Sequence, residues 1–182
     1  KLSTSTLKVG STSNVTFTFN EKVGNFDNND VTVANGTLST VTSADGGLTW
    51  TAVFTPTADI EDATNIITVD KSTLTDLAGN AGTGTTNSSN YKVDTKRPTA
   101  TVAMSDTDLK IGDTSKVTFT FSEAVSGFTN ADLLIDNGTL SSVSSSDGGT
   151  TWTATFTPKA NVSDTSNLIT LDNTGLSDSF GN

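Results

Sequence analysis

The sequence predicts an all-β chain built as two tandem β-sandwich domains. Three observations predict it: a gapless internal duplication, short runs of strict apolar–polar alternation, and turn residues between those runs. No stretch carries a helical period with caps. At 182 residues the chain has room for one or two compact domains.

The duplication is the strongest signal. LKVGSTSNVTFTFNEKV (7–23) returns as LKIGDTSKVTFTFSEAV (109–125), and NGTLSTVTSADGGLTWTAVFTP (35–56) returns as NGTLSSVSSSDGGTTWTATFTP (137–158). Asp76-Leu-Ala-Gly-Asn80 returns as Asp178-Ser-Phe-Gly-Asn182, and every position maps to its partner at an offset of 102. Such a period is too long for a solenoid unit and fits beads on a string. The boundaries fall at 1–95 and 96–182, across the linker Asp94-Thr-Lys-Arg-Pro98, which its proline stiffens. Repeat one begins at the equivalent of Ala103 and so carries little of a first strand. Repeat two stops before the equivalents of Tyr91 to Asp94. The sequence reads as cut from a longer array, with an unpaired edge expected in repeat two where a last strand belongs.

Each element follows from its pattern. In VTFTF (15–19), Val15, Phe17 and Phe19 share one face, opposite Thr16 and Thr18. Trp50, Ala52 and Phe54 share a face of the next long strand. Ile66 to Val69, Tyr91 to Val93 and Thr99 to Met104 are further strands. Asn35-Gly36 and Asn137-Gly138, each between alternating runs, predict hairpins. Asp45-Gly46-Gly47 and Asp147-Gly148-Gly149 predict a second turn, and Gly79 to Gly84 a long surface loop. About seven short strands per repeat, with turns every 8–12 residues, describe an immunoglobulin-like sandwich.

Composition excludes several function classes. With no histidine and no cysteine, the chain has no Ser-His-Asp or Cys-His nucleophile system, no zinc site of nitrogen and sulfur ligands and no disulfide. A formal charge of −10 argues against nucleic acid. No apolar run approaches a membrane span, and no signal peptide is visible. Only 32% of residues are hydrophobic, but 9 Phe and 2 Trp within alternating runs separate the chain from disordered linkers.

Phe19-Asn-Glu21 and Phe121-Ser-Glu123, Phe-x-x-x-Asp at 26–30 and 128–132, Trp-Thr-Ala-x-Phe-Thr-Pro, Asp-x-x-Gly-Asn and Val-Asp-Thr-x-x-Pro-Thr together resemble the bacterial Ig-like repeats of giant secreted adhesins. These are the extender domains of biofilm-associated and RTX-type surface proteins. The resemblance implies an extracellular stalk on the bacterial cell surface, serving cell adhesion and biofilm formation. It also implies calcium clamped between adjacent domains.

The residues supply a ligand set for that ion. If successive loops of an up-and-down sandwich alternate between its two ends, Glu123, Asp132, Asp178 and Asn182 fall at the end where the linker enters. Asp94 arrives there from repeat one. Calcium takes six to eight hard oxygens, and unpaired carboxylates so gathered would repel one another. Glu21, Asp30, Asp76 and Asn80 form the equivalent site of repeat one, expected to be incomplete. Each of these acidic residues also has a plainer reading as a turn former or cap. Asp106, Asp108 and Asp113 offer a second ion site or simple surface charge. Asp62 and Asp164 belong to the opposite-end loops, Asp62 being a weak further candidate at the joint.

Trp50 and Trp152 share the period of Phe54 and Phe156, which favours core packing over sugar stacking. Asn-x-Ser/Thr acceptors at Asn14, Asn35, Asn87, Asn137 and Asn161 carry little weight in a Thr-rich chain. The leading expectation is a non-enzymatic structural extender whose partners are neighbouring repeats. The alternatives are a fibre subunit completed by a donated strand, with other copies as partners through the unpaired edge, and a carbohydrate-binding module with Tyr91 and Phe180 as its exposed aromatics. A two-carboxylate glycosidase is disfavoured by the duplication of the carboxylates in two equal domains.

Overall fold

A computed structural model describes residues 1–182. The chain divides into two compact units, Lys1–Lys96 and Arg97–Asn182, and both are β-structured sandwiches.

In the first unit the strands are β1 (Thr6–Leu7), β2 (Ser13–Thr18), β3 (Val31–Val33), β4 (Gly36–Leu38), β5 (Thr42–Ser43), β6 (Thr49–Pro56), β7 (Glu61–Asn65), β8 (Ile67–Asp70), β9 (Thr85–Asn87) and β10 (Tyr91–Asp94). One layer runs β2–β6–β4, with β5 also on β6. The other holds two ladders, β3–β8–β9 and β1–β10–β7. Taken as interrupted strands, β4 with β5, β7 with β8 and β9 with β10, these segments amount to the seven strands of an Ig-like sandwich. Ile66 is the break between β7 and β8: it is exposed while Ile67 is buried, which places the expected strand one residue later. Residues before β1 continue along β2, with Leu2 bridged to Val15.

Alternation builds the core. Val15 pairs with Ala52 and Phe17 with Trp50 across β2 and β6, so the apolar side chains of both strands face inward together. Phe26 stands edge-on to Phe17, Phe19 and Trp50 at ring-centroid distances of 5.1, 5.2 and 5.6 Å. Trp50 is half-buried against this cluster and its indole N–H donates to Gly47 O at 3.1 Å, as core packing requires. Phe54 of β6 meets Tyr91 of β10 across the two layers at 5.2 Å.

Two expectations are corrected. The Asn35-Gly36 pair does not close a hairpin: β3 pairs with β8 and β4 with β6, so the dipeptide carries the chain from one layer to the other. Only Asn35 has positive φ, at 51°, whereas a two-residue type I′ turn needs it at both central positions. Asn137, at φ 50°, marks the same crossing in the second unit. The topology is also not simply up-and-down, because β1 lies parallel to β10. The Asp45-Gly46-Gly47 turn does close a hairpin, between β5 and β6, with Gly46 and Gly47 at φ 79° and 106°.

The second unit repeats the first layer: β11 (Ala100–Met104), β12 (Ser115–Phe121), β13 (Leu133–Ile135), β14 (Gly138–Leu140), β15 (Ser144–Ser145), β16 (Thr151–Pro158) and β17 (Ile169–Leu171). The order is β11–β12–β16–β14, with β15 on β16 and β13 paired to β17. Phe128 stands edge-on to Phe119, Phe121 and Trp152, reproducing the aromatic cluster.

The turn carboxylates of both units make acid stability predictable. Asp45 Oδ1 accepts from Thr49 N at 2.9 Å, Ser43 Oγ at 2.9 Å and Leu48 N at 3.1 Å. The backbone bond from Thr49 leads in lowering its pKa to about 2. Asp147, held first by Thr151 N, is likewise well below the usual carboxylate range. A depressed folded pKa contributes stability that is complete above the unfolded value and disappears as pH falls through the folded one. Melting temperature is therefore expected to fall between pH 4 and pH 2, and less steeply in Asp45→Asn and Asp147→Asn. Equal slopes in parent and variants would contradict this.

Candidate functional site

The acidic residues singled out from sequence sit in turns that fold around them. In the second unit Glu123 follows the end of β12 and is half-buried, and Asp178 opens the loop that ends at Asn182. Asp178 Oδ1 accepts from Phe180 N at 2.7 Å, Gly181 N at 2.7 Å and Asn182 N at 3.0 Å, and Oδ2 accepts from Asn182 Nδ2 at 2.8 Å. Burial works to raise the pKa of this carboxyl, but the bonds from Asn182, Phe180 and Gly181 outweigh it and hold it below the usual range. The group therefore stays ionised although only 5% of the residue is exposed.

Carboxylate oxygens of Glu123 and Asp178 lie within 4.8 Å of each other. Two oxygens on one calcium ion, each about 2.3–2.6 Å from it, are separated by no more than about 5 Å, so this spacing fits a shared cation. The same strand end receives the incoming chain: Ser122 N donates to Thr99 O at 2.8 Å and Thr99 N donates to Ser122 Oγ at 2.9 Å. Asp132 is engaged separately. Its Oδ2 accepts from Thr129 N at 2.8 Å and Thr129 Oγ1 at 3.2 Å, closing a capping box on the 3₁₀ turn 130–132.

In the first unit Asp94 ends β10, is buried, and accepts a hydrogen bond from Lys96 N at 3.2 Å. Glu21 is exposed. Asp30 is buried, capping the 3₁₀ turn 28–30 through Asp27 N at 2.8 Å and accepting from Thr73 Oγ1. Asp76 organises its loop as Asp178 does, accepting from Ala78 N and Asn80 N at 2.8 Å and from Asn80 Nδ2 at 2.7 Å. Among the residues set apart as second-ion candidates, Asp106 Oδ1 accepts from Asp108 N at 3.0 Å and Asp113 Oδ2 from Lys110 N at 3.2 Å.

A polar hub escaped sequence reasoning. Asn35 Nδ2 donates to Asp62 Oδ2 at 2.8 Å and to Asn65 Oδ1 at 2.7 Å, fastening the layer crossing to β7. Asn137, Asp164 and Asn167 repeat this arrangement, with distances of 3.1 and 2.6 Å. Asp62 and Asp164 are thus engaged within their own units. The signal was available, since all three residue types recur at the 102 offset within the duplicated frame. One expectation on the aromatics is corrected: Tyr91 is fully buried, because β10 is an interior strand flanked by β1 and β7.

Two Ig-like sandwiches in tandem, with acidic loops and neither histidine nor cysteine, define the class of protein. The sequence profile of a bacterial Ig-like domain matches residues 1–93 and again 94–182, and the chain belongs to that family. No curated protein matches it. No helix is long and apolar enough to cross a membrane.

Proposed function

We propose that these domains are extender repeats of a large secreted bacterial surface adhesin, acting in cell adhesion and biofilm formation and stiffened by calcium at the joint between repeats. The observation that carries this reading is duplication itself. One sandwich is copied in register with no inserted segment, its aromatic cluster included, and what an extra copy adds is length. A net charge of −10 and Thr-rich outer faces keep such an array soluble and unentangled.

The calcium part rests on Glu123 and Asp178, whose spacing suits a hard cation and whose charges repel without one. Asp94 stands five positions before Thr99, which pairs with Ser122 beside Glu123. At about 3.5 Å per residue, the tether keeps its carboxylate within about 17 Å of that strand end, a high local concentration of a third ligand. Glu21 and Asp76 are the corresponding pair of the first unit.

Melting curves in millimolar calcium and in chelator test the joint. Extracellular modules bind calcium at about 10⁻⁴–10⁻³ M, so 1 mM ion adds roughly 0.4–1.4 kcal/mol, or about 2–10 °C for a domain of this size. The parent is expected to gain that shift and Glu123→Gln/Asp178→Asn to lose it, with Asp94→Asn intermediate. An unshifted parent, or an equal shift in the double variant, would remove calcium and leave a passive spacer. Small-angle scattering of the parent then reads whether the ion lengthens the particle.

A further inference from the structure

The β10–β7 ladder pairs Asp94 with Glu61, and main-chain pairing continues one residue past the end of β10. Thr95 N donates to Ile60 O at 2.7 Å. The Thr95 side chain closes the pairing from the other direction: Ile60 N donates to Thr95 Oγ1 at 3.0 Å, and that hydroxyl donates to Thr57 O at 2.7 Å. Thr95 is only 6% exposed, although it stands outside any strand. The turn 57–60 that receives it is itself fixed. Thr57 N donates to Asn35 O at 2.9 Å, which ties the turn to the layer crossing, and Asp59 takes the left-handed conformation, φ 58°, between β6 and β7. One hydroxyl thus donates to one main-chain group of the turn and accepts from another; a valine has the same shape and can do neither.

Three residues, Lys96, Arg97 and Pro98, remain between this clasp and Thr99, whose backbone is bonded to Ser122 in the second unit. Freedom in the linker is thereby confined to a short stretch. Pro98 narrows it further, since the ring fixes its own φ and keeps Arg97 extended. Asp94 stands immediately before the clasp, and its Oδ1 accepts from Lys96 N at 3.2 Å, so the carboxylate reaches across the clasped residue.

We propose that Thr95 is a positioning residue for calcium at the joint, a role that rests on the calcium reading of that joint and adds what holds its third ligand. The clasp fixes the backbone that carries Asp94, so the first unit presents this carboxylate as part of its β-structure and not on a loose tether. A ligand already held in place loses less freedom when the ion binds than one that must first be ordered, and the difference appears as affinity. Thr95 itself donates and accepts only within the first unit; it acts through Asp94.

The test is calorimetric titration of calcium chloride into the full chain, well below its melting temperature. Thr95→Val is expected to bind about fivefold more weakly than the parent, and Thr95→Ser, which keeps the hydroxyl, within about twofold of it. A role confined to stability would leave the affinity of the folded chain unchanged. Hydrogen exchange in chelator reads the clasp with no ion present. The Ile60 and Thr95 amides of the parent are expected to exchange as slowly as those of β10, and in Thr95→Val both should exchange faster while β10 stays protected. Fast exchange at these two amides in the parent would overturn the proposal without recourse to any variant. Equal affinity of parent and Thr95→Val would overturn it too, as would a loss that Thr95→Ser does not recover. A parent that binds no calcium while both amides are protected would overturn the calcium reading instead, and the positioning role with it.

Discussion

Tyr91→Ala is expected to unfold the first unit well before the second. Tyr91 heads the fully buried side chains by volume, and its ring bridges the layers through Phe54. Deleting a buried aromatic ring costs about 3–5 kcal/mol, against a total of about 5–15 kcal/mol for a domain. The melting temperature of that unit should drop by about 15 °C or more. With Trp152→Phe in the background, Trp50 fluorescence reports this unit alone, and the converse background shows the second unit unmoved. Tyr91→Phe keeps the ring but takes the donor from the half-buried Ala34 carbonyl, a loss of about 1 kcal/mol. Burial, aided by the Asp62 charge, pushes the phenol above its ordinary value of 10.0. A raised folded pKa gives stability that is present below the unfolded value and lost as pH rises beyond it. Parent and Tyr91→Phe should therefore converge in stability as pH rises past 10.0, and this single tyrosine makes the titration readable by absorbance. A Tyr91→Ala melt indistinguishable from the parent would mean that β10 is not the keystone of the first sandwich.

The fold class was legible because its signals are local and repeated. Val15, Phe17 and Phe19 alternate as a half-buried strand must, and the 102-residue offset by itself marks two domains. Tyr91 was harder. A single aromatic in a short polar strand, between Asn90 and Lys92, gives no period that says whether its face is inner or outer, and only pairing with both β1 and β7 settles it. The ladder partners are distant in sequence, so no local pattern encodes them. The acidic residues were legible as loop residues but not in their duties. Asp30 and Asp132 each close a capping box whose partner lies three residues away, a duty that a charge count does not display. Sequence shows a carboxylate's charge more readily than the backbone N–H groups turned toward it.

The Asn-Gly crossing shows the same limit, and it yields the second large effect. Gly36→Ala and Gly138→Ala are each expected to cost about 1–3 kcal/mol, the range for overpacking a filled core. At Gly36 an added Cβ would lie 2.2 and 2.4 Å from Phe54 ring carbons and 2.7 Å from Thr55 O; at Gly138 it would lie 2.2 Å from two Phe156 ring carbons and 2.8 Å from Thr157 O. Neither glycine has positive φ, so the requirement is space and not backbone freedom. Gly175→Ala, where a Cβ would meet nothing within 4 Å and φ is ordinary, is the control and should be neutral or slightly stabilising. The two explanations separate in a double-mutant cycle. If the ring obstructs the methyl, Phe54→Leu relieves Gly36→Ala, and the pair costs less than the sum of the singles by more than about 0.5 kcal/mol. Additive costs would place the penalty at the backbone, where the Cβ also meets Thr55 O, and not at the ring. A glycine set under an aromatic ring at the layer crossing lets β4 leave β3 and join β6 while Phe54 still reaches Tyr91, which is why this dipeptide and that phenylalanine recur together in both repeats.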